Sequence, residues 1–77
     1  MDNNTFYQIY GQINGRWIMD ERYPRDKQNV ATEAAKRLAK EPGVSGVRVV
    51  RETWDDDDEI YREFTVYDST RIGKYRR

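Results

Sequence analysis

Helical periodicity occurs in one stretch of this chain, near its middle. Val30, Ala31, Ala34, Ala35 and Leu38 recur at three- and four-residue spacing and form a single apolar stripe. Pro24 precedes the stretch and Glu41-Pro42-Gly43 follows it, which predicts a helix capped by Asp26 and running to about Lys40. On either side the pattern changes to the alternation of strands. One helix covers one face of a sheet, so any fold built from this chain leaves the other face without a helical layer.

Residues 5–13 and 16–23 alternate around Asn14-Gly15, a hairpin signal. Two turns fit. A two-residue loop pairs Ile13 with Arg16, whereas a three-residue loop, Ile13-Asn14-Gly15, ends in a left-handed Gly15 and pairs Gln12 with Arg16. The three-residue loop gathers Tyr7, Ile9, Trp17 and Met19 on one face, and on that sorting it is the expected turn. After the helix, 44–54 and 59–68 read as a second strand pair joined by the acidic run 55–58. In that register Trp54 opposes Glu59, Val49 opposes Phe64 and Val47 opposes Val66. Val47, Val49, Thr53, Ile60, Phe64 and Val66 then share a face.

The predicted fold is therefore α+β: ββαββ, a four-stranded antiparallel sheet in the order 2-1-3-4 with one helix packed on one face. This order places Asp20, Glu21, Arg22, Arg62 and Glu63 on the edge strands, where charge discourages unwanted pairing. Residues 1–68 form the single domain, and 69–77 are expected to be a flexible basic tail.

Composition sets the size of the core. Leu, Ile, Val and Phe together supply 14 of 77 residues, with one leucine, and charged residues make up 36% of the chain. Fourteen basic side chains balance fourteen acidic ones, so no net repulsion expands the chain, and ten aromatics restore apolar area. A small, marginally stable domain is expected.

The inventory also narrows the chemistry. Cysteine and histidine are both absent, which removes disulfides, thiolate metal sites, the cysteine nucleophile and the commonest general base. No stretch approaches the ~20 apolar residues of a membrane-spanning helix, and a cytoplasmic location is the expectation. Carboxylates and tyrosines under one helix offer little pocket, so no catalysis, cofactor, metal or small-molecule substrate is expected. From Asp55, a calcium loop would need glycine and glutamate at its sixth and twelfth places; Ile60 and Val66 stand there, so 55–58 reads as a solvated hairpin tip.

Two surfaces remain as candidates. Alternation places Phe6, Tyr10, Ile18, Val50, Trp54, Tyr61 and Tyr67 on the face without the helix, more aromatic area than solubility requires. They are the candidate partner-binding residues of a non-catalytic interaction module, a small inhibitor or adaptor among the options, that docks on a larger protein or a second copy of the chain through this face or an edge strand. The alternative is nucleic acid, gripped at its phosphates by Arg71, Lys74, Arg76 and Arg77 beside Tyr75 and by Lys27, Lys36, Arg37 and Lys40. Zero net charge counts against it, as does the absence of the strand order and glycine-containing motif of sheet-type RNA binders.

Gly15-Arg16-Trp17, the alanine-rich helix at 31–39 and Gly46-Val47-Arg48-Val49-Val50-Arg51-Glu52 resemble a set of small alphaproteobacterial proteins without an assigned activity. Members share a Gly-Arg-Trp hairpin, a short alanine-rich helix and a Val-Lys/Arg-Val-Val-x-Glu strand. The resemblance spans about 6–67 and implies ββαββ; it carries no catalytic or binding residue. Members place a glycine-containing turn after the third strand, where this chain has 55–58.

Overall fold

The computed structural model describes residues 4–70. Its elements are β1 (Thr5–Ile13), β2 (Arg16–Pro24), α1 (Gln28–Leu38), β3 (Val44–Asp55) and β4 (Ile60–Asp68). They form ββαββ, with one sheet in the order β2-β1-β3-β4 and every neighbouring pair antiparallel.

The first turn has two residues. Asn14 (φ 55°) and Gly15 (φ 79°) both adopt left-handed backbone, the type I′ geometry whose twist suits a hairpin, and Ile13 pairs with Arg16. This corrects the expected three-residue loop. The extra residue sits in mid-strand instead: Gln8 pairs with Arg22 and Tyr10 with Met19, leaving Asp20 and Glu21 opposite Ile9. The bulge shifts the phase of β2 by one residue. Tyr23 therefore reaches the helix-covered core beside Tyr7, while Trp17 and Met19, opposite Gln12 and Tyr10, lie on the face without the helix. Ile18, expected on that face, pairs with Gly11 and lies on the helix side.

The second hairpin shows the same logic. Asp55 pairs with Ile60 and Trp54 with Tyr61, so the loop is 56–59 and not 55–58. Glu59 adopts φ 54°, and its N–H donates to the Asp55 carbonyl at 2.7 Å. Relative to the expected register the strands slide by two residues, which preserves their faces. A bulge then falls at Val66, between the Val50–Thr65 and Val49–Tyr67 pairs. It turns Tyr67, expected on the open face, toward the helix, where it packs against the core.

Helix α1 begins at Gln28 after Lys27, with no side-chain cap. Asp26 instead lies in the turn closed by the Lys27 N–H on the Pro24 carbonyl at 3.0 Å. Basic Lys36 and Arg37 occupy the last turn, where they suit the helix dipole. Lys36 pairs with Glu33 at 3.6 Å. The helix packs on β1 and β3 and more lightly on β2. Close approach depends on small residues: Ala31 and Ala35 are fully buried, and a Cβ at Gly11 would stand 3.2 Å from Leu38 Cδ2.

The core between helix and sheet is Tyr7, Ile9, Ala31, Ala35, Val47 and Val49. Each fully buried Ile or Val contributes about 1.5–3 kcal/mol, so the stabilising centre is narrow. Val30, assigned to the buried stripe from its spacing, is exposed. Eleven helical residues span roughly 16 Å at 1.5 Å each, against a molecular length of 39 Å, so the far half of the β3–β4 hairpin stands clear of the helix. Phe64, expected to face the core, is on the helix side but 59% exposed, with the Arg51 guanidinium 5.1 Å from its ring centre.

Among the described residues no helix is long and apolar enough to cross a membrane. Ser69 and Thr70, expected to begin a free tail, are bound to the sheet. Ser69 Oγ accepts from the Val47 N–H at 3.0 Å, and Asp68 accepts from both the N–H and the hydroxyl of Thr70. Gly46 makes room for this turn, since a Cβ there would collide with the Thr70 methyl.

Candidate functional site: the sheet face without the helix

The strand registers arrange the open face as rows running across the sheet. Trp54 and Tyr61 form one row. Phe6, Glu52 and Glu63 form the next, followed by Arg22, Gln8, Val50 and Thr65, then Met19, Tyr10, Arg48 and Asp68. Five of the seven expected residues are thus brought together: Phe6, Tyr10, Val50, Trp54 and Tyr61. Ile18 and Tyr67 belong to the other side, and Trp17 and Met19 take their places.

No helix covers these rows, yet their floor is dry. Gln8 is 3% exposed, Val50 6% and Glu52 8%. Long side chains laid flat provide the cover. Tyr61 stands edge-on to both Phe6 and Trp54, with ring centres 5.9 and 5.0 Å apart. The Arg22 guanidinium lies 4.1 Å above Phe6, and its Nε donates to Gln8 Oε1 at 3.4 Å. Arg48 lies 3.9 Å above Trp17 and pairs with Asp68 at 3.2 Å. Tyr10 leans across from β1 to donate its hydroxyl to Glu52 Oε2 at 3.2 Å.

The electrostatics of this face are uneven. Burial raises the Tyr10 pKa above the ordinary tyrosine value; the charge and hydrogen bond of Glu52 and the charge of Glu63 add to it, and Arg22 opposes them. The phenol thus stays a donor. Burial also resists ionisation of Asp68, but the hydrogen bonds from Thr70 and Arg48 outweigh it and hold that carboxyl below the usual carboxylate range. Glu52 and Glu63 stand directly opposite each other on neighbouring strands.

Outside the open face, the acidic loop is tied to its own hairpin. Asp55 Oδ1 accepts from the N–H groups of Asp57 and Asp58, its Oδ2 takes Arg62 Nε at 2.8 Å, and Arg62 also bonds Asp58. The hydrogen bond from Arg62 is the main reason the Asp55 carboxyl lies below its ordinary pKa. Among the described residues no group of three or more carboxylates is placed to hold a metal ion. Lys36 pairs with Glu33 and lies 5.8 Å from the Tyr67 ring centre. The basic positions Arg71, Lys74, Arg76 and Arg77 lie outside the described residues. A depression of about 370 Å³, lined by Thr5, Phe6, Pro24, Arg25 and Asp26, adjoins the Phe6 end of the open face.

Sequence reasoning missed Trp17 and Met19 because it placed the irregularity of the first hairpin at the turn. The signal was present in Asn14-Gly15, the dipeptide most suited to a two-residue type I′ turn. Taken at face value, that turn puts Trp17 opposite Gln12 and Met19 opposite Tyr10. Comparison of the chain with family models, with curated proteins and with solved structures returned no match.

Proposed function

We propose that this protein is a non-catalytic interaction module that docks on a protein partner through the open face of its sheet. The observation that carries the reading is the Phe6–Tyr61–Trp54 cluster, held edge-to-face on the side no helix covers, with Tyr61 still 53% exposed. Aromatic rings bring large contact area at low entropic cost on binding. The rows of a four-stranded sheet also offer a flat surface, which suits a macromolecule better than a small substrate.

Trp54→Ala and Tyr61→Ala test the reading. Both residues lie in the far half of the β3–β4 hairpin, away from the helix-covered core, so far-ultraviolet circular dichroism of either variant matches the parent. Association, measured by sizing with light scattering and by recovery of the same partner from native lysate, is lost in both. If each variant retains the oligomer or partner of the parent, the docking reading is wrong.

A further inference from the structure

Glu52 and Glu63 face each other across β3 and β4 in the row that also holds Phe6, next to the row of Trp54 and Tyr61. Like charges directly opposite on neighbouring strands are destabilising, so this pair works against the fold. Glu52 is more than nine-tenths buried, and the hydrogen bond from Tyr10 reaches its Oε2. No described cation forms an ion pair with either carboxylate. Arg22, on the same face, is drawn to Phe6 and Gln8. It also stands on the opposite edge strand, three inter-strand spacings or roughly 14 Å from Glu63.

Two carboxylates without a cation, beside three rings that already hold one another edge-to-face, make a surface complementary to a positive group. Arg22 over Phe6 and Arg48 over Trp17 show that rings on this face accept a guanidinium at about 4 Å. We infer that the open face docks a basic protein segment, with an arginine side chain of that segment set between Glu52 and Glu63 against Trp54 and Tyr61, the rings of the cluster that carry no guanidinium of this chain. This rests on the docking reading above and names the partner's chemistry. Arginine fits better than lysine because its planar head stacks on a ring while its N–H groups pair with carboxylate oxygens. The same carboxylates repel phosphate, which turns this face away from nucleic acid.

The test is a titration of the ¹⁵N-labelled full chain with an acetylated, amidated Gly-Arg-Gly-Arg-Gly peptide, followed at the Trp54 indole N–H and the Tyr61 and Glu63 amides. The expected result is a saturable shift at those groups that is absent with the glutamine-for-arginine peptide. Glu63→Gln weakens binding by about tenfold while raising the melting temperature, because it relieves the like-charge pair. Asp56→Asn with Asp57→Asn leaves affinity within about twofold, since those carboxylates lie at the hairpin tip. Shifts confined to 56–59, equal responses to both peptides, or unchanged affinity in Glu63→Gln would overturn the proposal. A dimer that Trp54→Ala abolishes, with no response to the arginine peptide, would sink the cationic partner and leave the docking reading standing.

Discussion

Val49 and Val50 are neighbours on β3 with the same side chain and nearly the same burial, yet they are kept dry by different means. Val49 lies under a helix, whose alanines are held in place by a backbone hydrogen-bonded along its length. On the face of Val50 the cover consists of side chains alone: Val50 stands between Gln8 and Thr65, and around them Tyr10 is tied to Glu52, Arg22 is laid on Phe6, and Tyr61 is edge-on to Phe6 and Trp54. The first cover can leave only if the helix undocks. The second can open by changes of rotamer, on a timescale of picoseconds to nanoseconds for exposed side chains. Equal burial therefore conceals unequal cover: a backbone-held helix on one side and rotamer-held side chains on the other.

The comparison breaks if the two valines prove equivalent. Val49→Ala should cost about 2.5 kcal/mol, because the lost methyl groups leave a cavity the helix cannot collapse onto. Val50→Ala should cost about 1 kcal/mol, since the layer above it settles into the space. Urea denaturation of the pair decides the matter, and losses equal within error would mean the open-side layer is as stiff as the helix.

A smaller effect sharpens the account of that layer. Tyr10→Phe removes the donor to Glu52 and should cost about 1 kcal/mol. Because the folded-state pKa of Tyr10 is raised, its contribution is complete below the ordinary tyrosine value and is lost as pH rises through the folded value. Spectrophotometric titration of the parent against Tyr10→Phe should therefore show one late-ionising phenol missing in the variant. If the parent's tyrosines all ionise early, the hydroxyl is not held as described.

The smallest expected effect lies at the other end of the same face. The folded Asp68 carboxyl is below its ordinary range, so its contribution is present above the ordinary carboxylate pKa and fades as pH falls through the folded value. Asp68→Asn should flatten the acid limb of stability against pH, read by chemical denaturation at a series of acid pH values. A limb as steep as the parent's would show that Arg48 and Thr70 do not hold that carboxylate.

Much of the fold is legible in the residues. The alanine stripe between Pro24 and Pro42 places the helix, and alternation on either side gives two hairpins in the order 2-1-3-4. Phe6, Tyr10, Val50, Trp54 and Tyr61 were readable as open-face residues because no bulge separates them from the central strands' alternation. Ile18 and Tyr67 were not, and each lies where a bulge or turn has shifted the phase by one.

Periodicity and turn chemistry are properties of neighbours along the chain, and they set which segments become strands, where the helix lies and how the elements connect. A bulge has no such local signature. The one opposite Ile9 lets the type I′ turn at Asn14-Gly15 coexist with Tyr23 in the core, and the one at Val66 brings Tyr67 beneath Lys36. Each resolves a conflict between a hairpin's register and the packing demanded by a helix distant in sequence. The composition of the open face, including the facing pair Glu52 and Glu63, was settled where those demands met.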